Sequence, residues 1–315
     1  MPQVSIITPL HNKGPYIDAT VQSVLAQRMT DWELIIVENG SSDDGPRIAS
    51  AYPDRDPRIS YRVSVRRGPG TARNAGLEHA TGEWVLFLDA DDLIEPGYLE
   101  ERLQTAKAET GTGIVAGPWV EFTDNRDAAD RSNRVPAAYR QSQTDLVNTA
   151  IASAPWVLHA ALIRRSLLVA GRTWPESLDR WPSEDAAFWF PLVATSSVAW
   201  ASGNGATYRL ATPTSRDRRD DVGRRTSGLL AVVTHNTAFL EQTGQRVTSQ
   251  QAGTLVRVLE RAYLDCLQAG QAALAATALE AANRWLSLAG AKSAGLLARR
   301  LLGIPLFNRL GGRLN

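Results

Sequence analysis

The densest chemistry in the chain lies at Asp89-Ala90-Asp91-Asp92, directly after the apolar run of residues 84–88 (WVLFL). An Asp-x-Asp placed where a buried strand ends projects two carboxylates from one edge. Mg²⁺ and Mn²⁺ prefer hard oxygen ligands, and Mg²⁺ is typically held by one or two carboxylates together with substrate phosphates. The pair suits a metal diphosphate; a solvated acidic turn is the plainer reading of the same triplet. A second acidic pair, Glu184-Asp185, follows Ser183 at the head of a helical pattern over 183–195. Ser183 is a good N-cap and acids are favoured in a first turn, so capping competes there with service as a proton acceptor. Trp156, Trp174, Trp181 and Trp189 crowd the same stretch. Flat rings pack on the apolar faces of sugars, with Trp156 and Trp181 the first candidates, although most tryptophans simply pack a core. His159 lies among them and is read as structural.

These side chains need a frame. Residues 4–8 (VSIIT), 33–37 (ELIIV) and 84–88 are continuous apolar runs, the pattern of strands buried on both faces. Helical spacing follows the first over 16–27, and further helices are expected at 47–51 and 71–80, with a strand near 59–65. Alternating strands and helices imply an α/β fold with a mainly parallel sheet covered on both faces. Further strands are expected at 114–122 and 206–210, a strand entering a helix over 158–170, and charged loops at 124–134 and 212–226. From about residue 228 the chain turns Ala- and Leu-rich and helical. In open parallel sheets ligands bind beyond the carboxyl ends of the strands. Three strands end in polar turns, at Pro9-Leu10-His11-Asn12, Glu38-Asn39-Gly40-Ser41 and Asp89-Ala90-Asp91-Asp92. All three therefore converge on one edge.

Composition narrows the field. A formal net charge of +1 argues against a protein that lives by neutralising nucleic-acid phosphates, so no nucleic-acid partner is expected. The single cysteine, Cys266, excludes an intrachain disulfide and a CxxC metal site, which favours a reducing cytoplasm. No run reaches the roughly 18–20 apolar residues of a membrane span, and no signal-peptide pattern opens the chain. Between 281 and 315 there are basic residues and no acidic ones. Three uses compete for this helical region, namely self-association into a homo-oligomer, a cap on the rest of the protein, or a peripheral contact with the inner face of a membrane.

In order along the chain, Val4-Ser5-Ile6-Ile7-Thr8-Pro9-x-x-Asn12, Val37-Glu38-Asn39-Gly40-Ser41-Ser42-Asp43, Arg73-Asn74-Ala75-Gly76-Leu77, Gly82-Glu83-Trp84 and Asp89-Ala90-Asp91-Asp92 resemble the family 2 glycosyltransferases, which have the GT-A fold. Arg164-Arg165-Ser166-Leu167-Leu168, Trp174-Pro175-Glu176 and Ser183-Glu184-Asp185-x-x-Phe188-Trp189 continue the likeness, which covers roughly residues 3–210. The resemblance implies an inverting enzyme that moves a sugar from a nucleoside diphosphate, a UDP-sugar first, to an acceptor hydroxyl of a cell-surface polysaccharide, glycolipid or related glycoconjugate. It implies a catalytic domain over 1–227, with a nucleotide-sugar half to about 110 and an acceptor half from about 111, followed by the helical region 228–315. Pro9 and His11 would line the base pocket, Glu38 and Asn39 would serve the base, and Arg73 would hold the nucleotide. Asp89, with Ala90 beside it, would approach ribose and metal, and Asp91 would be the direct ligand of Mn²⁺ or Mg²⁺. Asp185 would be the base, with Glu184, Trp156 and Trp181 on the acceptor side. The chain departs from the pattern at Asn39 and Glu38, where aspartate is usual. After Tyr208-Arg209 it has no metal-binding histidine, so Arg216, Arg218 or Arg219 could hold phosphate instead, or simply be solvated. A GDP- or dTDP-sugar, a natural-product acceptor, or a non-catalytic sugar-nucleotide-binding protein are the alternatives.

Overall fold

Val4, Ile6 and Ile7 are wholly buried, as expected of a strand covered on both faces, and they belong to β1 (Val4–Leu10), an inner strand of the main sheet. The computed structural model of the chain describes residues 1–123, 140–203, 205–210, 221–290, 299 and 304–305. These fall into two units, one of Met1–Gln143, Trp156–Arg180 and Leu192–Arg218, the other of Thr144–Pro155, Trp181–Pro191 and Arg219–Asn315.

The first unit opens with β1, α1 (Gly14–Leu25), β2 (Trp32–Glu38), α2 (Gly45–Ala49), β3 (Ile59–Val63), α3 (Pro69–Leu77) and β4 (Trp84–Phe87). It continues through β5 (Leu93–Ile94), α4 (Tyr98–Ala108), β6 (Ile114–Ala116) and β7 (Trp119–Phe122). After α5 (Gln143–Ala150), which lies almost wholly in the second unit, come β8 (Ala161–Arg164) and α6 (Arg165–Val169). Then α7 (Glu184–Thr195) precedes β9 (Val198–Trp200) and β10 (Ala206–Arg209). Seven strands form the main sheet in the order β3-β2-β1-β4-β8-β6-β9, and β5-β10-β7 form a small second sheet. Strands β3, β2, β1 and β4 run parallel, with Ile7 level with Ile35 on one side and Phe87 on the other. Strand β8 is antiparallel to both neighbours, so the mainly parallel sheet expected from the sequence carries one reversed strand.

Packing fixes α3 on this sheet. A Cβ on Gly76 would lie 2.4 Å from Ile7 Cγ2 and 3.1 Å from Val37 Cγ2, so only glycine lets the helix approach β1 and β2 this closely. The single strand expected over 114–122 is two strands in two sheets. The break falls at Gly117-Pro118, where a Cβ on Gly117 would meet the fully buried Arg102 guanidinium.

The second unit contains α8 (Val222–Gln242), α9 (Ser249–Gln268) and α10 (Ala272–Ala289), together with the head of α7. Asn236 of α8, wholly buried, donates from Nδ2 to the carbonyls of Ile151 at 3.0 Å and Ala186 at 3.4 Å. Phe190 stands edge-on to Phe239. Thr248 and Gln251 form a capping box on α9. Asp221 caps α8, so the loop expected over 212–226 ends five residues early. Residues 211–220, with Arg216, Arg218 and Arg219, and the loop at 124–134 lie outside the described residues, as does most of the basic stretch after 290. No helix among the described residues is long and apolar enough to cross a membrane.

Candidate active site

The carboxyl ends of β1, β2 and β4 lie side by side. The Asn39 N–H donates to the Leu10 carbonyl at 2.8 Å, and the Leu88 N–H to the Ile7 carbonyl at 3.0 Å. The three polar turns read from the sequence therefore share one edge of the first unit.

A network of short side chains builds the floor of that edge. Glu38, buried, accepts from the Ser41 N–H and hydroxyl. Asn12 accepts from the Ser42 N–H at 2.7 Å, and its own N–H reaches the Ser41 hydroxyl at 3.1 Å. Asp43 accepts from the N–H groups of Gly14 and Gly45. Pro9 is half-buried at the end of β1, whereas His11 is exposed with Nδ1 3.0 Å from the Asn39 carbonyl. The Asn39 side chain, 5% exposed, is held at both ends. Its Oδ1 accepts from Gly68 N–H and its Nδ2 donates to the Arg66 carbonyl, each at 2.8 Å. Asn39 thus ties residues 66–68 to the end of β2, and that engagement is already in place for a side chain that the family resemblance implies for the nucleotide base.

Helix α3 delivers Arg73. Its guanidinium, nearly buried, donates to Asp89 Oδ1 at 2.7 Å and lies 4.2 Å from the Trp174 ring. An arginine fixed by a carboxylate and an aromatic face cannot wander, and it sets the height of Asp89 at the strand end. The helix start is itself held from afar. Asp179 accepts from the N–H groups of Gly70 and Thr71 at 2.8 and 2.9 Å and from the Thr71 hydroxyl at 2.8 Å.

Beyond β4 the acidic run divides its labour. Ala90 is buried and turns the chain between Asp89 and Asp91. Asp91 pairs with Lys13. Burial, reinforced by the neighbouring Asp92, pushes the Asp91 carboxyl up to about 6 against the pull of the Lys13 ammonium. Asp92 faces inward, accepting from the Arg209 N–H at 2.7 Å and meeting His159 Nδ1 at 3.2 Å. Burial raises its pKa, and Asp92 in turn raises that of His159 against the burial of the ring. His159, wholly buried, is a partner within the frame.

Asp89 and Asp91 offer the hard oxygens that Mg²⁺ or Mn²⁺ takes. Among the described residues no cluster of three or more His, Cys, Asp or Glu side chains could hold a metal by itself. Such a donor set fits a cation whose shell is completed by substrate phosphates. A cavity of about 500 Å³ elsewhere in the first unit, lined by Arg28, Glu95, Tyr98, Glu100, Glu101 and Gln104 among others, includes none of these residues.

Of the acceptor-side candidates, Trp156 is buried in the first unit, edge-on to Trp200 at 5.7 Å. In the second unit Glu184 is buried, and Trp181 and Asp185 are half-buried. Asp185 sits in the first turn of α7, where its Oδ1 accepts from the Ala186 N–H at 2.9 Å. Ser183 has φ +66°, outside the extended region of a serine N-cap. Among the described residues, Asn12 and Ser183 are the two non-glycine residues with positive φ, and each adjoins candidate site residues. Such outliers cluster at functional sites. Sequence reasoning missed Lys13, Arg209 and Asp179. Lys13 alone had a local signal, its place in the turn leaving β1.

A family model described as "Glycosyl transferase family 2" matches residues 5–169. The protein EpsH of Bacillus subtilis (strain 168) is 38% identical over 129 residues, which is 41% of this chain and 37% of EpsH. The matched segment thus spans well under half of that relative. Among solved structures, residues 1–349 of S. aureus TarS in complex with UDP-GlcNAc superpose with a TM-score of 0.69 at 17% identity, covering 99% of this chain and 92% of the other. The mannosyltransferase PcManGT from Pyrobaculum calidifontis, in complex with GDP-Man and Mn²⁺, gives 0.55 at 23% identity, covering 99% and 83%. At these identities the likeness is one of fold, and that fold is GT-A.

Proposed function

Because the chain belongs to glycosyl transferase family 2, we propose that it is an inverting enzyme which moves a sugar from a nucleoside diphosphate to an acceptor hydroxyl. The observation that carries this reading is the gathering of Arg73, Asp89 and Asp91 at the shared carboxyl edge of β1, β2 and β4. A UDP-sugar is the first donor to consider, since TarS was crystallised with UDP-GlcNAc. A GDP-sugar is the second, on the PcManGT complex. The acceptor class that goes with the reading is a cell-surface polysaccharide, glycolipid or related glycoconjugate. Residues up to about 110 would read the donor and residues 111–227 the acceptor.

In this mechanism Asp89 and Asp91 would hold a divalent cation, which would supply charge to offset that building on the departing diphosphate. Arg73, fixed against Asp89 and Trp174, orients the nucleotide. Asp185 accepts the proton of the attacking hydroxyl, which is too weak a nucleophile unaided at neutral pH. One base and a single in-line displacement invert the anomeric centre.

Thermal unfolding of the full chain with UDP, GDP or dTDP, each with and without Mn²⁺, tests the donor half of this reading. A matching nucleotide at about a hundredfold over its Kd is expected to stabilise by about 2.7 kcal/mol, a rise of roughly 5 °C or more, only when Mn²⁺ is present. Asp185→Asn is expected to lower turnover by about 10²- to 10⁴-fold while leaving that rise intact. An unchanged rate removes Asp185 as the base; no metal-dependent rise with any nucleotide removes Asp89 and Asp91 as its holders.

A further inference from the structure

The Asp91-Asp92 dipeptide is tied on several sides by other parts of the first unit. Arg209, the last residue of β10, holds it twice. Its backbone N–H donates to Asp92 Oδ1 and its Nε to the Asp91 carbonyl, each at 2.7 Å. From α1 the Thr20 hydroxyl donates to the Asp92 carbonyl at 2.9 Å, and the Asp92 N–H closes back on the Asp89 carbonyl at 3.1 Å. The Arg209 guanidinium in turn lies over the Tyr16 ring of α1 at 4.8 Å and the Phe122 ring of β7 at 4.4 Å. Two aromatic faces and a donor bonded in its own plane leave a guanidinium little freedom to turn. Bonds from one residue to two successive residues fix more than a distance. They set the direction in which the Asp91 side chain leaves the backbone.

We propose that Arg209 is a positioning residue for the cation site, holding the Asp91 main chain so that its carboxylate is aimed before a metal arrives. This rests on the preceding reading, in which Asp91 is a ligand of a divalent cation. A short side chain on an untethered turn sweeps over several orientations, and binding has to halt that motion. A ligand aimed beforehand avoids the cost. Groups that orient a metal ligand without touching the metal are typically worth about ten- to a hundredfold in metal affinity. Arg209 also carries a positive charge, so its two effects on a cation at Asp91 have opposite signs. The charge repels the cation, whereas the hold on the main chain favours it. The hold is the larger effect.

The test is titration of the full chain with Mn²⁺, followed by electron paramagnetic resonance, with and without UDP, on wild type, Arg209→Met and Arg209→Lys. Thermal unfolding checks the fold of each variant. Arg209→Met is expected to bind Mn²⁺ about ten- to a hundredfold more weakly than wild type, although it removes a positive charge. Arg209→Lys keeps the charge but lacks both the plane and Nε, and it should bind as weakly. Phe122→Leu removes one of the two rings and no charge, and it should weaken Mn²⁺ in the same direction; it decides the matter if neither Arg209 variant folds. Mn²⁺ affinity in folded Arg209→Met equal to or tighter than wild type overturns the proposal, as does wild-type affinity in Arg209→Lys, or in Phe122→Leu when that variant decides. Each of those results leaves the cation at Asp89 and Asp91 standing. Wild type that binds no Mn²⁺, alone or with UDP, removes the cation itself and this proposal with it.

Discussion

At residue scale, Asn39 explains its own departure from the family pattern. Its amide accepts from Gly68 N–H and donates to the Arg66 carbonyl, two demands of opposite sign. Aspartate could meet only the first and would set an anion against the Arg66 oxygen. Asn39→Asp is therefore expected to destabilise the protein by about 1–3 kcal/mol, the cost of a lost bond and a poorly paired buried group, measured by urea unfolding. A change below about 0.5 kcal/mol would show that residues 66–68 are not held by this side chain. The acidic run teaches the complementary lesson. Asp89, Asp91 and Asp92 look equivalent in the sequence, yet one faces Arg73, one Lys13 and one the buried His159. Residue types and strand ends were enough to pick out the run. The division of roles was not legible, because the partners come from other elements of the chain, 16 positions away for Arg73 and 78 for Lys13.

At the scale of elements, β1, β2 and β4 could be read to within two residues at each end, because burial on both faces writes them as unbroken apolar runs, whereas the half-exposed edge strand β3 carries no such run. Strands β5 and β9, of two and three residues, are too short for any periodicity to show. The start of α3 was hidden for a different reason. No residue beside it caps it; Asp179 does so across 109 positions. Loss of that cap in Asp179→Ala should cost about 1–3 kcal/mol, since three hydrogen bonds to a charged group go at once. Because α3 carries Arg73, UDP affinity in the presence of Mn²⁺ should fall as well. Calorimetry on the folded variant separates the two effects. Unchanged affinity would mean that Arg73 is positioned by Asp89 and Trp174 alone. The second unit was legible only as helical composition. Its contacts with α5 and the head of α7 link segments that no sequence pattern joins.

At the scale of the molecule, those contacts make the second unit discontinuous. It draws on Thr144–Pro155 and Trp181–Pro191 as well as on everything from Arg219 onward. A chain ended after residue 227 would leave the Ile151 and Ala186 carbonyls without Asn236, and the fully buried Phe190 without Phe239. Such a truncation is expected to lose near-UV circular dichroism and cooperative melting and to bind ANS, the marks of lost side-chain packing. A cooperative melt within a few degrees of the intact chain would show that residues 1–227 fold alone. The same discontinuity bears on biosynthesis. Ile151 and Asn236 are 85 positions apart, and a ribosome adding about 5–20 residues per second needs roughly 4–17 s to make that stretch. During those seconds every nascent copy carries an apolar segment whose cover has not yet been translated, and it must be shielded from its neighbours until α8 emerges.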